Sequence, residues 1–494
     1  MQDAHDLNLV IEAGIPLVAL ETWDERRAID LLLRLARKRN SSLFQWSITD
    51  GLKRGGFGLQ VEQSAKHTEP EAILDYLKHR AEPGIYALCD FHPWFGDEHP
   101  KHTRQLKDIA LRHNGGSLTI VLISHRLKLP PELSRLSARF EISPPNREQI
   151  LTIVRDEAKK WARSKDGRKV RADNATLQQL VSSLQGLTHA EVRRLARSAI
   201  VDDGAITDSD LPALNKAKFD LMGMDGVLSY EYQTEALAKI GGMNNLKQWL
   251  SKRHDVFRGD VEGMDTPKGI LLLGVQGGGK SLAARAVAGT WQVPLLKLDM
   301  GALYNKFHGE TERNLRESLQ LAESMSPCVL WLDEIEKGIS SDSNDGGVSG
   351  RVLATLLTWM AEHKGRVFLV ATSNDITQLP PELVRKGRFD ELFFVDLPEA
   401  QARKMIFTIH LQNRELKPEE FALEELVAAS EQFSGAEIEQ AVVAALYSAL
   451  AQDTEVTTDL LLDEIHKTSP LAIVMAEKLA ALRHWAKERK VVPA

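Results

Sequence analysis

GVQGGGKS, Gly274 to Ser281, sets three glycines (Gly277, Gly278 and Gly279) before a lysine and a hydroxyl residue, directly after the apolar run GILLL. Phosphate oxygens need several donors converging on one spot. Consecutive backbone N–H groups at a helix amino terminus supply them, and glycines let the backbone approach closely. Lys280 would reach the β and γ phosphates of ATP, and the Ser281 hydroxyl would ligate Mg²⁺. Downstream, CVLWLDE delivers Asp333 to the metal and Glu334 to an attacking water, which it can orient or deprotonate. RVFLVATSN closes with Asn374, whose amide can touch both the γ-phosphate and that water. ELVRKGRFD adds Arg385 and Arg388, permanent planar cations suited to the charge on a transferring phosphoryl group.

These residues require strands to hold them. Five buried-strand runs, GILLLG, PLLKLDM, CVLWLDE, RVFLVATSN and ELFFVDLP, alternate with helical patterns, which predicts a parallel sheet flanked by helices. After Pro398 the strands stop, so a helical lid is expected to follow. The first half repeats this grammar in PLVALE, SLFQWSI, GIYALCDF, LTIVLIS and FEISPP. The pentapeptide LPPEL occurs at both Leu129–Leu133 and Leu379–Leu383, and GLTHAEV parallels QFSGAEI. Three collinear matches argue for duplication of one module.

The 494 residues are too many for one ordinary core, and 43% hydrophobic with 27% charged residues is a normal globular balance. A formal charge of −7 argues against nucleic acid as the partner. Two cysteines without a paired framework suggest a reducing compartment. No apolar run approaches the ~20 residues of a membrane span, and the start lacks a secretory signal. The expectation is a soluble, cytoplasmic protein.

The four motifs GVQGGGKS, VLWLDE, VATSN and LVRKGRF, in this order and spacing, resemble the AAA family of ring-forming ATPases. The resemblance covers residues 238–470. It implies an α/β fold: a P-loop AAA module over 238–398 plus an α-helical lid and carboxy-terminal helix over 399–494. A degenerate AAA-like α/β domain would precede them over 1–200, with a linker or cap over 201–237. It further implies self-assembly into a ring, a hexamer in that family, with Arg385 and Arg388 acting on ATP held by the neighbouring subunit. By the same resemblance Gly241, in IGGMNNLKQWL, and Gly274, Leu282, His410, Gly435 and Ala436 border the nucleotide. NKFHGETE matches the family's pore loop, so Lys306, Phe307 and His308 would grip a threaded protein substrate, and SDSNDGGVSG matches a second pore-facing loop. Gly278 stands where a threonine is common, and Lys386 where a proline is expected. The whole chain is similar to the AAA proteins of cyanobacteria, proteobacteria and algal plastids known as hypothetical chloroplast reading frame forty-six.

In the first half the chemistry is absent. TWDERRA follows PLVALE where a phosphate loop belongs, and its acids repel phosphate. GIYALCDF keeps an aspartate, Asp90, and puts Phe91 in place of the glutamate. That domain would bind partners, stabilise the ring or select substrate. His92, His99 and His102 in FHPWFGDEHPKH lack helical metal-ligand spacing and read as a polar loop. Met475, Leu479, Leu482 and Trp485 recur at helical spacing and predict a terminal helix packed on the lid or on a neighbouring subunit. Two functions compete: a remodeller threading protein through Phe307 loops, and a slow nucleotide-dependent switch that scaffolds a partner through its inactive first domain.

Overall fold

A computed structural model describes residues 2–55, 67–113, 118–165, 168–222, 227–232, 234, 240–259, 261, 263–305, 311–339, 348–363, 365–385 and 387–494. The chain divides into two compact units, residues 1–170 with 186–204, and residues 171–185 with 205–494.

The first unit is built on six strands: β1 (Leu17–Glu21), β2 (Ser42–Ser47), β3 (Gly51–Arg54), β4 (Gly84–Cys89), β5 (Leu118–Ser124) and β6 (Ser137–Glu141). They lie in the order β3-β2-β4-β5-β1-β6, parallel throughout except for β3. Every residue of β4 and β5 is buried, as expected for central parallel strands covered on both faces. The period of two is visible in β1: Leu17 and Ala19 join the core on one face, Val18 and Leu20 that on the other.

The second unit begins with the short pair β7 (Arg171–Ala172) and β8 (Ala205–Ile206). Its main sheet comprises β9 (Leu228–Glu231), β10 (Gly269–Gly274), β11 (Leu295–Asp299), β12 (Cys328–Asp333), β13 (Val367–Ser373), β14 (Glu391–Val395) and β15 (Val492–Pro493), in the order β15-β14-β10-β13-β12-β11-β9. Only β9 is antiparallel. Set aside the added edges, β3 in the first sheet and β9 and β15 in the second, and one strand order remains in both units. The first strand lies between the fifth and the fourth, then come the third and the second. The two units therefore share one strand order as well as LPPEL.

Topology also corrects one correspondence. Asp90 is the first residue after β4 and takes a left-handed φ of 51°; Glu334 is the first after β12, with φ 48°. Asp90 thus stands at the glutamate position, and buried Cys89 stands at that of Asp333.

Residues 201–237, read as a linker or cap, include the helix Asp210–Met222 and strand β9, which completes the sheet edge. That helix buries Lys218, whose Nζ donates to the Gln185 carbonyl at 2.6 Å; burial pushes its pKa down to about 8. The lid contains the helices Ala400–Gln412 and Gly435–Ala451, packed around Phe407, Leu411 and Ile438. The terminal helix Ala476–Glu488 packs elsewhere than expected. Leu482 and Trp485 lie against the core of the α/β sheet, Arg483 holds both Asp396 oxygens, and Lys478 pairs with Asp375 at 3.0 Å. Behind it, β15 pairs with β14, fixing the end of the chain to the same sheet.

Candidate functional site

Strand β10 is the switch point of the sheet: β14 and β13 flank it, while the chain crosses over to β11. Ligands bind at such crevices beyond the carboxyl ends of parallel strands. Gly274 ends β10 with φ 152°, and a Cβ there would stand 1.9 Å from the Val395 carbonyl oxygen, so no side chain fits. The glycines beyond it turn the backbone sharply, Gly277 at φ 74° and Gly279 at φ 92°. The helix Lys280–Trp291 then starts with no side-chain cap on its amino terminus. Its first N–H groups and the positive end of its dipole face the cleft, the local condition for holding phosphate.

Lys280 is only 7% exposed, and its Nζ donates to the carbonyls of Gly274 (2.8 Å) and Val275 (2.7 Å). Burial pushes its pKa down to about 8, against the pull of Glu336, Asp333 and Glu334. The neutral fraction must take up a proton to meet a phosphate as an ammonium. ATP affinity should therefore fall as pH rises through 8, approaching about tenfold per pH unit above it, with net proton uptake on binding. Calorimetry in two buffers of different ionisation heat reads that uptake. An affinity flat from about pH 7 to 9.5 would show that Lys280 stays protonated throughout that range and that burial does not depress its pKa.

At the ends of β12 and β13 the acidic groups are fixed by neighbours. Thr372 Oγ1 donates to Asp333 at 2.8 Å and accepts from the Glu334 amide at 3.1 Å. Lys297 pairs with the other Asp333 oxygen at 3.2 Å. Glu334 accepts from Asn374 Nδ2 at 3.0 Å and pairs with Lys337. The Asn374 amide donates to Glu336 at 3.0 Å; Glu336 is buried, and its second oxygen has no partner among the described residues.

From the lid, Ser434 and Glu437 form a capping box, and the Ala436 amide donates to the Gly277 carbonyl at 3.4 Å. Burial lowers the His410 pKa; Glu439, 3.7 Å away, opposes that, and Arg414 adds to it. Gly241 lies where a Cβ would come within 2.8 Å of Ile406 on the lid helix.

The glycine loop, the ends of β12 and β13 and the lid helices border one cleft of about 1180 Å³, ample for a nucleotide. Of the residues singled out from sequence, Gly241, Gly277, Gly278, Gly279, Lys280, Ser281, Leu282, Asp333, Glu334, Asn374, His410, Gly435 and Ala436 line it. Gly274 lies beneath the loop and offers its carbonyl to Lys280. Arg385 is exposed and Arg388 donates to the Leu357 carbonyl at 3.0 Å; neither lines this cleft. Lys306, Phe307 and His308, Lys386, and residues 341–347 of the second expected loop lie outside the described residues. Asp333 and Ser281 are hard oxygen donors facing the same space, the set that suits a Mg²⁺ ion shared with phosphate oxygens and water. Among the described residues no group of three His, Cys, Asp or Glu side chains could hold a metal by itself.

Sequence reading missed Thr372, Glu336, Lys297 and the chain's last residues. Pro493 and Ala494 also line the cleft, with Asn245 donating to the Pro493 carbonyl at 3.1 Å. A lone lysine in the otherwise apolar LLKL was a signal. The short VP strand gave none.

Comparison with known proteins agrees with this geometry. Residues 270–397 match the model of the ATPase family associated with various cellular activities (AAA). Residues 3–142 match the N-terminal domain of SpoVK-like AAA ATPases, and residues 148–225 their second domain. Over 99% of its length the chain is 34% identical to the uncharacterized AAA domain-containing protein ycf46 of Trieres chinensis, covering 98% of that protein. It is 33% identical to ycf46 of Guillardia theta over 99% of the chain and 96% of the relative. Over 40% of the chain it is 37% identical to the proteasome-activating nucleotidase of Aeropyrum pernix, covering 49% of that protein.

Proposed function

The chain belongs to the AAA family of ATPases, in its ycf46 group, and on that footing we propose that it is a Mg²⁺-dependent ATP hydrolase working as a ring of identical subunits. The observation that carries the hydrolase reading is the contact of Glu334 with Asn374 in the cleft that also holds Lys280, Ser281 and Asp333. Ser281 and Asp333 would hold the metal, which would neutralise charge on the phosphates. Lys280 and the amides of the glycine loop bind those phosphates. Glu334 takes the proton of the attacking water, and Asn374 orients both. His410, Gly435 and Ala436 bring the lid to the nucleotide.

Arg385 and Arg388 would complete the site of the neighbouring subunit, a reading supported by neither of them lining its own cleft. By the family resemblance the ring would be a hexamer and Phe307 would grip a protein substrate; the match to a proteasome-activating nucleotidase supports action on protein. No helix among the described residues is long and apolar enough to cross a membrane, and both cysteines are free and buried, which supports a cytoplasmic setting.

The test is ATPase activity against protein concentration, with light scattering on the same samples. Specific activity should rise several-fold as the ring assembles, because each site lacks its arginines until a neighbour arrives. Equal activity from a monomer overturns the ring.

A further inference from the structure

We infer that the first unit carries an internal ligand: the carboxylate of Asp24 occupies the place that a nucleotide phosphate would take in the duplicated module, and clamps that unit without ATP. The strand orders of the two sheets make the loop after β1 the counterpart of the glycine loop after β10. They also make the helix Glu25–Lys38 the counterpart of Lys280–Trp291. The second member of this pair begins uncapped after Gly279. The first is capped by Asp24, whose Oδ1 accepts from the Arg27 amide at 3.2 Å.

A second helix terminus converges on the same side chain. His189–Val201 opens with Thr188 and Glu191 in a capping box, as Gly435–Ala451 opens with Ser434 and Glu437. In the second unit the Ala436 amide reaches toward the glycine loop, to the Gly277 carbonyl. In the first, the corresponding Ala190 amide donates to Asp24 Oδ2 at 3.3 Å. One carboxylate therefore joins the two helix termini between which the nucleotide would lie. Asp24 is only 8% exposed, its own amide donates to Thr22 Oγ1 at 3.0 Å, and Arg27 touches His189 across the same junction. An anion seated on two positive helix ends is the electrostatic part a phosphate would play. Because this anion is covalently part of the chain, the clamp neither dissociates nor turns over.

The inference is independent of whether the second unit hydrolyses ATP. It is tested on the full chain by hydrogen exchange at residues 24–28 and 188–196, with residues 277–281 read in parallel as the nucleotide site. Wild type should show protection at the first two segments that ATP and Mg²⁺ leave unchanged. Asp24→Ala should raise exchange there at least tenfold, and sulfate, compared with chloride at equal ionic strength, should restore protection in the variant beyond its effect on wild type. Should Asp24→Ala not fold, Asp24→Asn keeps the size but only one acceptor oxygen, and should lose protection at Ala190 first. ATP-dependent protection of residues 24–28 in wild type, or Asp24→Asn exchanging like wild type, overturns the internal ligand. ATP-dependent protection at 277–281 is read apart from both.

Discussion

Glu334→Gln should lower ATP turnover by roughly 10²- to 10⁴-fold, the usual contribution of a positioned general base, while ATP affinity stays within a few-fold of wild type. The substitution is chosen for what it leaves in place. Asn374 Nδ2 donates to Glu334 Oε1 at 3.0 Å, and a glutamine carbonyl oxygen can accept the same bond. The backbone kink at φ 48° and the Glu334 amide bond to Thr372 do not involve the carboxylate. What disappears is the negative charge, and with it the ability to accept a proton from water. Lys337 loses its partner, but that side chain is largely exposed and the pair contributes little. Binding and turnover must therefore separate. If affinity for ATP weakens as much as turnover falls, Glu334 holds the site together rather than serving the chemistry. If turnover is unchanged, another group activates the water.

Removal of a single carboxylate from a site this crowded is informative because its neighbours were not all legible in the sequence. GVQGGGKS is a local signal: the loop, its glycines and the helix after it are contiguous, so spacing alone identifies them. The end of β12 is different. Asp333 and Glu334 are aimed by Thr372 in β13 and Asn374 just after it, on one side, and by Lys297 in β11, on the other side of β12. Register between strands decides those contacts, and register is not written in any one segment. The last strand is the extreme case. Two residues, Val492 and Pro493, have no periodicity to read, yet they pair with Phe393 and Phe394 and bring the chain end to the cleft.

The first unit shows the same limit in reverse. Five of its six strands and LPPEL were legible because both repeat. The identity of Asp90 was not, because a one-residue difference at a strand end depends on where the left-handed turn falls. TWDERRA was readable as lacking a phosphate loop. That one of its acids caps two helices required the fold.

Arg388 and Glu334 make the sharpest prediction when combined. Alone, Arg388→Ala should lose at least ~10³-fold in turnover if its guanidinium stabilises the transferring phosphoryl group. That loss alone is ambiguous, since Arg388 also donates to the Leu357 carbonyl, and its removal loosens the helix Val348–Glu362. Mixing resolves the ambiguity. In a head-to-tail ring, an Arg388→Ala subunit supplies an intact Glu334, and a Glu334→Gln neighbour supplies an intact Arg388. Random co-assembly at equal amounts would complete about one site in four, so a mixture of two inactive proteins should recover about a quarter of wild-type turnover. A structural role for Arg388 predicts no recovery, because a misplaced helix is not repaired by a neighbour. An arginine acting within its own subunit predicts none either, because no chain in the mixture carries both residues. Subunit exchange followed by fluorescence transfer shows that the rings have mixed. Recovery then requires that Arg388 act across an interface, and its absence in well-mixed rings would leave each subunit to work with its own residues.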